Sequence, residues 1–318
     1  MKRQPILLAA FLGLTASWLP AATVLVADGG ANQVDRFAST TSGAWTSQGT
    51  LIPAATYGGQ ALSNPFGLAF DGTHVYVSEG ANGGRILQFT TGGSFVQTIY
   101  DFGTTTQPRY LSWAPNGRLL MTDAFGSAGD NVWQIDVTAK TASILITTAT
   151  GSFNNPQDLT FAPDGKLYVA DRQTNRIKQF SAAGALLNAN FATVTNPIGL
   201  VWDDAGNRFL CGAGFTGDLV AISTSGVVTT VLNETHGEGF LDMLVLDGQT
   251  YVSRFSTGTT TGGVWRQTGP TTSSEVTDGY ISANSSNQLI VIPEPAGLAL
   301  AGMVVLSLVR RRHAFPGR

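Results

Sequence analysis

The stretch NPQDLTFAPDGKLYVADRQTNRIKQF, Asn155 to Phe180, reads as three short strands joined by turns. Leu159 and Phe161 alternate with neighbours after Pro156, Asp164-Gly165 marks a turn, Leu167 to Ala170 is an apolar run, and Ile177 to Phe180 forms a third strand after a polar loop. Short alternating runs bounded by Gly, Pro and Asx residues signal strands and hairpins rather than helices. Degenerate copies of the Pro-led start recur as Asn64-Pro65-Phe66-Gly67-Leu68, Gln107-Pro108-Arg109-Tyr110-Leu111 and Asn196-Pro197-Ile198-Gly199-Leu200, and without the proline as Gly239-Phe240-Leu241-Asp242-Met243. From Gly67 through Tyr110, Asp158 and Gly199 to Asp242 the steps are 43, 48, 41 and 43 residues. That spacing is the length of one four-stranded propeller blade.

The two ends of the repeat region look complementary. Leu25-Val26-Ala27-Asp28 and Asn32 to Phe37 align without a gap on Tyr168-Val169-Ala170-Asp171 and Asn175 to Phe180, so the repeats open partway through a blade. At the other end Tyr280-Ile281 resembles Leu200-Val201, and Leu289-Ile290-Val291 resembles Phe209-Leu210-Cys211, the second strand of its copy. The expected fold is therefore all-β, a six-bladed β-propeller closed by N- and C-terminal strands. Because both end pieces then contain a second strand, seven blades or an extra edge strand stay open. Closure removes exposed strand edges, whereas an open solenoid would need capping repeats.

Composition agrees. The 318 residues are 43% hydrophobic and 12% charged, with 38 glycines, enough apolar material for a large core rich in turns. The lone Cys211 lies in a strand-like run and reads as a small buried hydrophobe. Residues 1–22 and 296–318 hold six of the 18 basic residues and no acid, which leaves 12 basic against 21 acidic residues between them, a net charge of −9. Such a body repels phosphate backbones, so no nucleic acid is expected as a partner. The glycines of Asp164-Gly165, Asn116-Gly117 and Ala205-Gly206 read as hairpin turns requiring positive φ. Trp113, Trp133, Trp202 and Trp265 read as packing between blades, and Arg85, Arg172 and Arg176 as loop ties.

The Pro156 to Phe180 unit resembles the NHL repeat, and the array of roughly residues 23 to 292 resembles the six-bladed propellers of the gluconolactonase and streptogramin-lyase-like group. In such a fold the first strand of each blade lines the central channel, which makes Tyr110, Asp158 and Asp242 candidate channel-lining residues, with Arg109, His236 and Glu238 nearby. Asp158 and Asp242 could hold a hard cation such as calcium, though no cofactor is required; capping of backbone amides is the competing role for them. Resemblance to gluconolactonases implies a channel metal held by carboxylate and Asn side chains. This chain departs from it, because only two of five mapped positions are acidic and Gly67 and Gly199 offer no ligand. The three histidines, His74, His236 and His313, assemble no zinc site, and neither a G-x-S-x-G elbow nor a phosphate loop is present.

The chain ends read as addresses. Two basic residues within Met1 to Gln4, an apolar run of 15 residues from Pro5 to Leu19, and Pro20-Ala21-Ala22 have the order of a secretory signal peptide, with cleavage expected between Pro20 and Val24. At the other end Ile292-Pro293-Glu294-Pro295 is followed by 14 uncharged residues, Ala296 to Val309, and then by Arg310-Arg311-Arg312-His313. Pro293, Glu294 and Pro295 followed by an apolar helix and Arg310, Arg311 and Arg312 resemble the PEP-CTERM sorting signal of exported bacterial proteins. That resemblance implies processing by an exosortase, transient inner-membrane anchoring, and a place in the cell envelope, at the surface or in an exopolysaccharide or biofilm matrix. The domains expected are a signal peptide at 1–22, a propeller at 23–292 and a C-terminal hydrophobic sorting helix with its flanking motifs at 293–318. The function expected is a binding or interaction module for a polysaccharide or surface protein, more so than an enzyme. The alternatives are a metal-dependent gluconolactonase-like hydrolase and a purely architectural surface protein.

Overall fold

A computed structural model describes residues 22–39, 44–80, 84–125, 129–214, 217–233, 239–255, 263–269, 272–277 and 286–292. Residues 1–21 of the expected signal peptide, the expected sorting segment with Pro293, Glu294, Pro295, Arg310, Arg311 and Arg312, the Tyr280-Ile281 pair, and His236 and Glu238 all lie outside the described residues.

The strands form six four-stranded antiparallel sheets and one two-stranded ribbon. Numbered around the ring from the sheet that holds the first strand, the innermost strands are Ser286–Ile292 in blade I, Pro65–Phe70 in II, Pro108–Trp113 in III, Pro156–Phe161 in IV, Pro197–Asp203 in V and Gly239–Leu246 in VI. Each inner strand touches the next, and that of VI touches that of I, so the ring is closed. Blades II to VI each run inside to outside in chain order. Blade I takes its outer three strands, Thr23–Asp28, Gln33–Ser39 and Trp45–Ile52, from the beginning of the repeats and its inner strand from their end.

The register of blade I decides the blade count. Val24, Leu25 and Val26 pair with Val291, Ile290 and Leu289, while Val26 also pairs with Asp35. Leu289 to Val291 are thus a first strand, not the second strand that their likeness to Phe209-Leu210-Cys211 suggests, and they complete blade I rather than begin a seventh. The sequence misleads here because both strand types are buried on both faces. Either one then reads as an unbroken apolar run, and only pairing separates them.

Both faces are buried because blades pack on blades. Leu25, Val34 and Ile52 of blade I pack with Leu68, Val77 and Phe89 of II, and Tyr168, Ile177 and Phe191 of IV pack with Leu200, Phe209 and Cys211 of V. The last interface joins Tyr251 and Val264 of VI to Val24, Phe37 and Leu289 of I. Within the second strand of V, Phe209 and Cys211 face IV while Leu210 faces VI, the two-residue alternation of a strand serving two cores. The tryptophans belong to these interfaces: Trp113 stands edge-on to Tyr76 of the preceding blade with ring centroids 5.4 Å apart, and Trp202 and Trp265 flank the apolar clusters of V.

Local signals hold with one exception. Gly117 and Gly165 have φ of 77° and 74°, as their turns require. In the Ala205-Gly206 turn the positive φ, 47°, belongs to Asn207 instead, and Gly206 leaves room for the Asp203 carboxylate and Arg208. Asn64, Asn155 and Asn196, each before a blade-opening proline, also have positive φ. Their amides donate to the Asn32, Asp130 and Asn175 side chains of the preceding blade, at 2.6, 2.9 and 2.8 Å. The ribbon of Thr56–Tyr57 and Gln60–Ala61, absent from the repeat pattern, is tied down by buried Arg85, which donates to the Tyr57 carbonyl at 2.6 Å and pairs with Glu79 at 2.5 Å.

The closing strand should therefore carry stability for the whole ring. Leu289→Ala, at a buried position between blades VI and I, is expected to cost about 2–4 kcal/mol, seen as a lower urea midpoint at unchanged slope. An unchanged midpoint would mean that closure does not stabilise the ring.

Candidate functional site

The innermost strand of each blade has a partner on one side only, so its other edge turns toward the channel. Backbone N–H groups on that edge are buried and need acceptors. The register aligns Gly67, Tyr110, Asp158, Gly199 and Asp242 at one position, just before a residue paired with the second strand: Leu68, Leu111, Leu159, Leu200 and Met243. In blade I the equivalent is Gln288, ahead of Leu289.

Three of these six side chains cap all six following amides. Asp158 accepts from Leu159 N and from Leu200 N of blade V, both at 2.7 Å. Asp242 accepts from Met243 N of its own strand and from Leu289 N of blade I, the latter at 2.7 Å. The Gln288 carbonyl oxygen accepts from Leu68 N at 2.8 Å and Leu111 N at 3.1 Å, and its amide donates to the Leu111 carbonyl at 2.9 Å. Tyr110 crosses the channel, its hydroxyl donating to the Leu241 carbonyl. Gly67 and Gly199 are the positions with no room. A Cβ on Gly67 would collide with the Arg109 carbonyl, and one on Gly199 would sit 2.7 Å from the Leu241 oxygen and 2.8 Å from the Asp242 Cα.

Burial sets the electrostatics of this plug. It pushes the carboxyl of Asp242 up to about 7 and that of Asp158 well above its ordinary value, the latter also through the charge of Asp242. Tyr110, buried beside both, is raised as well, by desolvation first. As arranged, Asp158 and Asp242 fit amide capping rather than a calcium ion, because their oxygens are already engaged and neither Gly67, Gly199 nor the donating Tyr110 hydroxyl offers a further ligand. Among the described residues no group of three or more His, Cys, Asp or Glu is placed to hold a metal.

One residue nearer the strand starts, the layer changes character. Phe66, Ile198, Leu241 and the Tyr110 ring form an apolar cluster, and Arg109 lies in the same layer with its guanidinium carbon 4.4 Å from the centroid of Phe66 and 5.0 Å from that of Phe125. The Nε of Arg109 is buried without a partner among the described residues. Asp123 lies nearby; one oxygen takes the Gln107 amide at 2.9 Å, and burial raises its carboxyl to about 6. A separate cavity of about 170 Å³ lies between blades IV and V at the far ends of the strands, beside Pro163, Trp202 and Phe209. At its edge the Tyr168 hydroxyl donates to Asp164 and the Trp202 indole to Asp204.

The sequence reading of the channel therefore names Tyr110, Asp158, Asp242 and Arg109, which share the ring's inner layers, but misses Gln288, Phe66 and Phe125. Gln288 was legible only through the register of the closing strand. Phe66 looked like one more apolar strand residue, and Phe125 lies in a loop outside the repeat.

Sheet order and channel together define a six-bladed β-propeller whose channel is sealed by its own side chains. The profile of the NHL repeat matches residues 153–180. No curated protein matches the chain by sequence. Among solved structures, a chain of a nidogen/laminin complex is similar over 85% of this chain and 98% of that one, at 15% identity and a TM-score of 0.63. Virginiamycin B lyase from Staphylococcus aureus is similar over 86% and 81% of the two chains, at 15% identity and a TM-score of 0.54. A putative gluconolactonase is similar over 73% and 85%, at 16% identity and a TM-score of 0.52. At these identities the likeness is one of fold.

The buried carboxylates give stability a pH dependence of known sign. Folded Asp242 holds its proton more tightly than the unfolded chain does, so its contribution is complete below about pH 3.8 and is lost as pH rises through about 7. Urea midpoints should fall between pH 5 and 8, and Asp242→Asn should flatten that fall. An unaltered slope would show that Asp242 does not titrate there.

Proposed function

We propose that this chain is an exported, exosortase-processed β-propeller that acts as a binding module at the cell surface or in an extracellular matrix, in an exopolysaccharide or biofilm setting. The observation that carries the binding reading is how the channel spends its polar groups. The carboxylates that a metal-dependent hydrolase would use accept backbone amides, whereas Arg109 at the mouth keeps donor capacity unspent. A nidogen/laminin complex among the fold's neighbours supports a module of this kind by analogy of fold.

Export and sorting rest on the sequence of the two ends: a basic, apolar and small-residue leader, and Pro293-Glu294-Pro295 ahead of an apolar run and Arg310-Arg311-Arg312. The closing strand ends at Ile292, directly before that motif, so processing near Pro293 to Pro295 would leave every described strand in the mature protein. The partners on this reading are the exosortase during maturation and a polysaccharide or surface protein afterwards.

In cells, alanine at Pro293, Glu294 and Pro295 is expected to leave a longer, membrane-held form, while the natural sequence yields a shorter form retained in washed matrix. Equal mass and location for the two would overturn the sorting part. A processed form that washes freely from the matrix would overturn the binding part.

A further inference from the structure

The guanidinium of Arg109 lies against two aromatic rings, its carbon 4.4 Å from the centroid of Phe66 and 5.0 Å from that of Phe125. Stacking of this kind uses the π faces and leaves the in-plane N–H donors for hydrogen bonds. The buried Nε has no partner among the described residues. An unsatisfied buried donor costs about 1–3 kcal/mol, so the site is incomplete as it stands.

Phe125 supplies a second and independent sign. Its backbone φ is +72°, a conformation that bulky L-residues avoid, and 52% of the residue is exposed. Holding a non-glycine residue there costs about 1–3 kcal/mol, and such strain gathers at ligand-binding positions. The strained backbone keeps an exposed ring against the arginine instead of burying it in a blade interface.

We propose that the channel mouth binds a small monocarboxylate, its carboxylate paired with Arg109 and its apolar or ring portion lying against Phe125. A planar carboxylate matches the in-plane fork of a guanidinium better than any neutral group does. Arg172 adds a second cation close enough to interact with Arg109, and the charge of Asp123 acts on the same guanidinium with the opposite sign. The floor is apolar, formed by Phe66, Ile198 and Leu241, and beneath it the capped ring closes the channel, so the ligand stops at the mouth. Size and charge are bounded by the body around it: the net −9 of residues 23–295 disfavours polyanions, which leaves a ligand bearing one carboxylate. This inference rests on the binding-module reading and names the chemistry that its mouth recognises.

The test is calorimetric titration of the mature protein with sodium glucuronate and sodium benzoate, against glucose and benzyl alcohol as uncharged counterparts, at equal ionic strength. The acids should bind at least about tenfold more tightly than their counterparts, as a charge-assisted pair implies. Arg109→Leu should abolish the difference, Arg109→Lys should reduce it, and Phe125→Ala, at an exposed and strained position, should weaken binding while keeping the fold. The comparison of acid with neutral probe in the natural protein stands even if an Arg109 variant fails to fold. Equal binding of acids and neutral probes, or no heat from any of them at about 10 mM, overturns the proposal. If the protein then still holds to washed matrix, the carboxylate site falls and the binding-module reading survives; acid binding without matrix retention means the reverse.

Discussion

Six strands turn an unpaired edge toward one axis, and the amides on that edge must find acceptors without water or a seventh strand. Three side chains, Asp158, Asp242 and Gln288, answer this for all six blades, each taking two amides. The same constraint accounts for Gly67 and Gly199, where the neighbouring backbone comes too close for a side chain, and for Tyr110, which spans to the Leu241 carbonyl.

Closure and sealing are one event. The last described strand completes blade I by pairing with Thr23–Asp28, brings Leu289 into the interface between blades VI and I, and delivers Gln288 to blades II and III. Its Leu289 amide is in turn capped by Asp242 of blade VI. Each interface is shared by two blades, so loss of the closing strand exposes apolar surface on both sides and uncaps amides across the channel. A ring joined in this way resists opening at its seam, the point at which a linear array of repeats would fray.

The seal also moves the chemistry. In a propeller of this shape the channel carboxylates are the first residues to suspect of catalysis, and here burial and amide bonds hold them in a structural role. In the layer outside them the Arg109 guanidinium lies near the rings of Phe66 and of half-exposed Phe125. Raised carboxyl pKa values, which elsewhere mark an active site, here follow from desolvation of capping groups.

Pro156, Leu159, Gly165, Tyr168 and Ile177, with their copies, fixed strand lengths, turns and the blade period, because each rests on local physics: proline's φ, glycine's left-handed turn and the two-residue alternation of a strand. The basic and apolar patterns at the two ends are likewise local in composition and order. Chain pattern also placed Asp158 and Asp242 at one level of the ring, since repeat alignment carries position with it. It did not reveal that Leu289 to Val291 form a first strand, that Gln288 is the sixth channel residue, or that Phe125 leans on Arg109. Those depend on register and on contacts between blades far apart in the chain. A strand buried on both faces reads the same whichever strand it pairs with, so only the closed ring could decide them.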